Sequence, residues 1–95
     1  MTNKYTGSDF DAFLAEQSLL ERAKAVATKR VIAWQIEREM ADQKISKTAM
    51  ARQMRTSRVA LDRLLDPEVA SVTLLTLERA ARALGMKLAI ELRSP

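Results

Sequence analysis

Five cations, Lys47, Arg52, Arg55, Arg58 and Arg63, crowd one short stretch of this 95-residue chain, with Asp62 the only acid among them. Ammonium and guanidinium groups at that density bind anions, and a guanidinium can fork two donors onto a phosphate, a carboxylate or the edge of guanine. Groups suited to covalent chemistry are missing. The chain has no histidine and no cysteine, no glycine loop to cradle a phosphate, and acids scattered along its length rather than converging. Ser46 and Lys47 are neighbours, but that pair is common at helix starts and carries no nucleophile logic alone. Scattered carboxylates make no credible metal site, and no cofactor is implied. The residues point to binding rather than catalysis.

The elements that must position these cations are short. In SKTAMARQMRTSRVALDRLL, residues 46–65, Met50, Ala51 and Met54 space out one inward stripe and Leu61, Leu64 and Leu65 a second. Ser46 and Ser57 are N-cap residues, because a serine hydroxyl accepts from the unpaired N–H groups of the turn that follows. Two short helices, a polar turn at Thr56–Ser57 and a cationic outer surface make a helix-turn-helix, whose second helix is suited to reading DNA. Asp66-Pro67 stops that helix, since proline pushes its predecessor out of the helical region. Thr73 caps a last helix lined by Leu74, Leu77, Ala81 and Leu84, and Gly85 ends it.

Charge divides unevenly. Residues 1–44 hold seven cations and seven acids, whereas residues 45–95 hold nine cations and five acids, so the whole net charge of +4 lies in the second half. A polyanionic partner is the natural reading of that half, against the blander one of a solvated face of mixed charge. Two glycines, two prolines and few aromatics favour helices over a sandwich or barrel, in one domain. No run is long and apolar enough for a membrane span, MTNKYTGSDF lacks the apolar core of a secretory signal, and the absence of cysteine fits a cytoplasmic address.

The N-terminal half divides in turn. Residues 1–7 are expected to be disordered, and residues 8–45 to be helical. Ser8, with Asp11 three residues on, starts a short helix whose apolar edge is Phe10, Phe13 and Leu14; that edge is expected to pack on the domain, with contact to a partner protein as the alternative. Ser18 with Glu21 resembles a capping box opening a second helix that runs to about Gln43. Leu20, Ala23, Ala27, Val31 and Trp34 share one face of it, with Ile36 and Met40 close beside, and Trp34 is expected to anchor the core. Thr28, Lys29 and Arg30 are a place where it could bend. Residues 46–85 form the helix-turn-helix core.

From Met86 the period changes to two: Leu88, Ile90 and Leu92 alternate with Lys87, Ala89, Glu91 and Arg93, as in a strand with one apolar face. No second strand is legible. A lone edge is a template for another chain, so residues 86–95 are expected to pair across a two-fold homodimer or with the sheet of a different protein.

KISKTAMARQMRTSRVALDRLLD followed by TLLTLERAARALGMKL resembles the Cro/repressor-like helix-turn-helix family over roughly Val31 to Leu88, and looks most like HigA-type antitoxins, whose partner is usually a RelE/HigB-like mRNA-cleaving toxin. The resemblance implies a mainly α, five-helix lambda-repressor-like domain, here with an extra N-terminal helix and the short C-terminal β-strand paired across a dimer. It also implies a docking mode with the second motif helix in the major groove. Carried over, Arg58, Val59, Asp62 and Arg63 would face base edges, while Lys47, Arg55, Thr56, Ser57 and Thr73 would grip phosphates. Asp62 has a second reading, as a carboxylate that orients Arg58 or Arg63. Arg55 stands where the family has glycine, which implies a positive φ or a slightly different turn.

Two functions share those residues. One is an antitoxin that neutralises a RelE/HigB-like toxin and represses its own operon from a near-palindromic operator. The other is a phage-like or housekeeping repressor with no toxin partner. A protein-interaction domain that has lost DNA binding fits the basic second half poorly. Residues 8–30 and the final strand exceed what a minimal repressor needs, and one of them is expected to meet the toxin.

Overall fold

Helices end where the chain can turn left-handed, and three of the four here do so in the same way. The computed structural model describes residues 7–95 as α1 (Gly7–Asp42), α2 (Lys47–Met54), α3 (Arg58–Leu65) and α4 (Leu74–Ala83). After α1, α2 and α4 come Lys44, Arg55 and Gly85, with φ of 57°, 57° and 69°. Each closes the same pair of backbone bonds. After α4, Gly85 N–H donates to Arg82 O at 3.0 Å and Met86 N–H to Ala81 O at 2.8 Å; Arg55 and Thr56 repeat this on Arg52 and Ala51, and Lys44 and Ile45 on Ala41 and Met40. Orphan carbonyls at each helix end are thereby satisfied. Glycine adopts that φ freely, whereas a side chain costs about 1–2 kcal/mol there. Lys44 is exposed and serves no other contact, so Lys44→Gly should raise unfolding stability by about 0.5–1 kcal/mol once the flexibility glycine adds to the unfolded chain is offset. Urea titration measures this; a drop in the midpoint would contradict it.

The N-caps fall where the serines and threonine predict. Ser46 Oγ accepts from Ala49 N–H at 3.1 Å, Ser57 Oγ from Ala60 N–H at 3.0 Å, and Thr73 Oγ1 from Thr76 N–H at 3.1 Å. Between these starts and stops, α2 packs on α3 and α4, and α1 packs on α3. The core is Ile36 and Met40 of α1, Met50, Ala51 and Met54 of α2, Leu61, Leu64 and Leu65 of α3, and Leu77, Ala80 and Leu84 from α4 and its cap. Met50 and Leu61 are fully enclosed at its centre, each contributing about 1.5–3 kcal/mol from loss of apolar surface to water.

Several expectations are corrected. The expected five helices are four, because residues 8–45 give one continuous helix rather than two. Nothing between Gly7 and Pro67 is glycine or proline, and extending an existing helix costs far less than nucleating a new one, so the Ser18–Glu21 pattern does not restart the chain. Helix α1 runs unbroken through Thr28–Arg30. Gly7 already belongs to α1, and the rest of the expected disordered segment lies outside the described residues. Trp34 is not a core anchor: it is 57% exposed, with the Arg38 guanidinium 5.2 Å from its ring centroid. The domain packs against the opposite side of α1, the Ala33, Ile36 and Met40 side, and leaves Leu20, Val31 and Trp34 outside. In α4 the buried residues are Leu77 and Ala80, while Leu74 is exposed.

Residues 86–95 form no β-strand in the single chain. A strand exists only with a hydrogen-bonded neighbour, and none of the described residues supplies one. Leu88 turns into the edge of the core, whereas Ile90 and Leu92 stay exposed, Leu92 completely. The molecule measures 63 × 30 × 20 Å. Its long dimension comes from α1, which at 36 residues spans about 54 Å.

Candidate nucleic-acid interface

The outer face of α3 and the start of α2 form one polar surface. Burying Leu61, Leu64 and Leu65 leaves Arg58, Val59, Asp62 and Arg63 on the far side of the helix, all exposed, with Val59 at 68%. An apolar side chain that open on a charged surface stabilises nothing in the free protein and suits a contact such as a thymine methyl. Arg58 Nη1 donates to Thr48 Oγ1 of α2 at 3.3 Å, and Lys47 Nζ of α2 sits 3.4 Å from Asp62 Oδ1. Asp62 is therefore paired with Lys47 and does not orient Arg58 or Arg63 as the sequence suggested. Both members of that pair are about half exposed, so it contributes at most about 1 kcal/mol and gives way readily to a stronger anion.

The turn supplies further donors. Arg55 takes the positive φ expected where the family has glycine, and Arg55, Thr56 and Ser57 follow one another across the gap between α2 and α3, Thr56 half-buried and the other two exposed. Ser57 and Thr73 use their oxygens as helix caps, which leaves the Ser57 hydroxyl proton available to a phosphate. Thr73 Oγ1 also lies 2.9 Å from Thr76 Oγ1, a hydroxyl pair in which either can donate. Arg63 and Thr73 lie on one shallow depression between α3 and the start of α4, so the residue proposed for a base and the one proposed for a phosphate are neighbours. Arg52 is exposed beside the turn.

Sequence reading missed what holds α3 in place. Lys29 of α1 is 2% exposed, and its Nζ donates to Arg63 O at 2.8 Å and to Asp66 O. A cation thus closes the C-terminal end of the recognition helix, where the helix dipole is negative, and adds to the Asp66 and Val69 N–H groups that the same two carbonyls accept. Burial lowers the pKa of Lys29 from its ordinary value, and the Asp66 carboxylate opposes that shift. Its neighbour Arg30 donates to Pro67 O at 3.2 Å and pairs with Glu68 Oε1 at 2.8 Å, gripping the loop just beyond. Lys29 lies four and seven residues before Ala33 and Ile36, on the face α1 buries, but nothing local in the sequence marks that face as the inward one. Gln43 does the same for α4, donating to Leu84 O at 2.8 Å.

What this arrangement can do is bind an extended anion. Cations and hydroxyls stand at the starts of α2, α3 and α4, and Arg58, Val59, Asp62 and Arg63 of α3 are exposed among them. Among the described residues no group of side chains is placed to hold a metal ion, and no helix is long and apolar enough to cross a membrane. Residues 35–89 match the family described as Cro/C1-type HTH DNA-binding domain. No curated protein and no solved structure matches the chain significantly.

Proposed function

This chain belongs to the Cro/C1-type helix-turn-helix DNA-binding domain family, as a sequence-specific DNA-binding transcription regulator, and on that premise we propose that it is an antitoxin that represses its own operon. The observation that carries the DNA half of this reading is the exposed outer face of α3, with Arg58, Val59, Asp62 and Arg63 toward solvent and phosphate-binding groups at its flanks. Arg58 and Arg63 read guanine by paired donors to O6 and N7, Val59 meets a thymine methyl, and Asp62, released from Lys47, accepts from cytosine N4. Lys47, Arg55, Thr56, Ser57 and Thr73 fix the register on phosphates.

The operator is near-palindromic because the working form is a homodimer. Leu88, Ile90 and Leu92 of the tail pair with those of a second copy, which supplies the hydrogen-bonding neighbour that residues 86–95 lack. Two recognition helices then meet half-sites about 34–36 Å apart, or a multiple of that. Supporting this is the exposure of Ile90 and Leu92 beside an apolar groove between α1 and α4, with Ile36 and Leu77 in its wall. Deleting residues 87–95 should yield a monomer by sedimentation; an unchanged dimer would remove the tail from the interface.

The toxin half rests on what the domain does not need for DNA. The part of α1 before Lys29 contributes no buried residue to the domain, yet it is a folded helix bearing exposed apolar groups. Its partner is a RelE/HigB-like ribonuclease. Co-expression with a small basic ribonuclease-like neighbour encoded beside this chain tests the reading: growth should be restored, and the two proteins should purify together. Persistent toxicity would leave a repressor without a toxin partner.

A further inference from the structure

Charge is segregated along the length of this molecule, and the acidic end is a projecting helix. Residues 8–21 carry Asp9, Asp11, Glu16 and Glu21 and no lysine or arginine, whereas residues 22–95 hold fifteen cations and eight acids. All of residues 9–25 lie ahead of the first buried position of α1, Lys29, so this arm reaches about 25 Å along its axis beyond the packed domain. Its apolar side chains are not hidden: Leu19 is 67% exposed, Leu20 53%, and Leu14 is exposed as well. An isolated helix of this length with leucines in water is marginal, and it gains stability by covering them.

We propose that residues 9–25 are the docking arm for the toxin, a small basic protein whose surface is built to hold a polyribonucleotide; this rests on the antitoxin reading above. The arm presents what such a surface binds, four carboxylates distributed around residues 9–21 with no cation among them, together with leucines that RNA lacks and that give a protein contact its desolvated centre. The same charge argues against duplex DNA, which repels the carboxylates of residues 9–21.

The test uses the full chain co-expressed with the small basic ribonuclease-like neighbour, as it stands and as two variants. Leu19→Ser/Leu20→Ser removes the apolar contact, and Glu16→Lys/Glu21→Lys reverses the charge; all four side chains are exposed and outside the core, so the domain folds unchanged. Both variants should lose toxin binding by at least tenfold and fail to restore growth, while binding operator duplex as the unsubstituted chain does. If the unsubstituted chain neutralises the toxin and both variants still do, the arm is not the docking site and the antitoxin reading stands. If the unsubstituted chain fails too, the antitoxin reading falls and takes the arm with it. A fall to half the mass in sedimentation of either variant would make the arm a contact between copies, and overturn the proposal on that ground.

Discussion

Arg58→Ala is expected to relax the base preference of this protein at one operator position, with a loss of about 1–3 kcal/mol against the preferred base. Lys47→Ala is expected to weaken binding to every sequence alike and to lower the slope of log affinity against log salt by about one. The contrast follows from geometry. Arg58 opens α3, and its guanidinium rests on Thr48 Oγ1 at 3.3 Å, a neutral contact that a guanine edge replaces at little cost. Lys47 opens α2 and gives up Asp62 on binding, so its truncation removes a phosphate contact, a loss common to all sequences. Competition titrations with single-base operator variants at two salt concentrations separate the outcomes. Uniform losses in both mutants would show that α3 is not the reading helix.

The second large effect lies away from the DNA. Lys29→Met keeps most of the buried stem but removes the ammonium, so the carbonyls of Arg63 and Asp66 lose their charged donor and keep only the backbone N–H groups of Asp66 and Val69. Hydrogen bonds to a charged group contribute about 1.5–3 kcal/mol each. Burial of the ammonium itself offsets part of this, as its lowered pKa indicates. A net destabilisation of about 2–3 kcal/mol is expected in urea titration. Arg30→Ala is the control: its ion pair with Glu68 is exposed on both sides and should matter by less than about 1 kcal/mol. Equal effects of the two substitutions would deny Lys29 its role in fixing α3.

How much of this was legible in the sequence depended on whether a residue's partner was close along the chain. Ser46, Ser57 and Thr73 each bond an N–H three residues on, and Gly85 turns the chain beside its own helix, so α2, α3 and α4 could be read from local pattern. The positive φ of Arg55 was one of two alternatives that the resemblance offered, because Arg55 stands where the family has glycine. Lys29 was not legible, because its partners lie 34 and 37 residues away and no local rule marks a lysine as buried. Helix α1 misled because it is apolar on two sides. Val31 and Trp34 make as regular a stripe as Ala33, Ile36 and Met40, and only the position of α3 decides which faces inward. The alternation at Leu88, Ile90 and Leu92 described a capacity to pair, and a strand needs a partner that a single chain does not contain. Of the site residues, sequence reading identified the outward face of α3; it did not foresee that Asp62 pairs with Lys47, since that contact depends on how α2 crosses α3.

Titration of the purified full chain with a duplex from its own promoter, alongside a scrambled duplex of equal length, tests the central claim most directly. If α3 is an outward-facing reading helix, the promoter duplex binds about 10³-fold or more tighter than the scrambled one at physiological salt, and both affinities fall as salt is raised. Equal affinity for the two duplexes, or no binding to either at low salt, would contradict it.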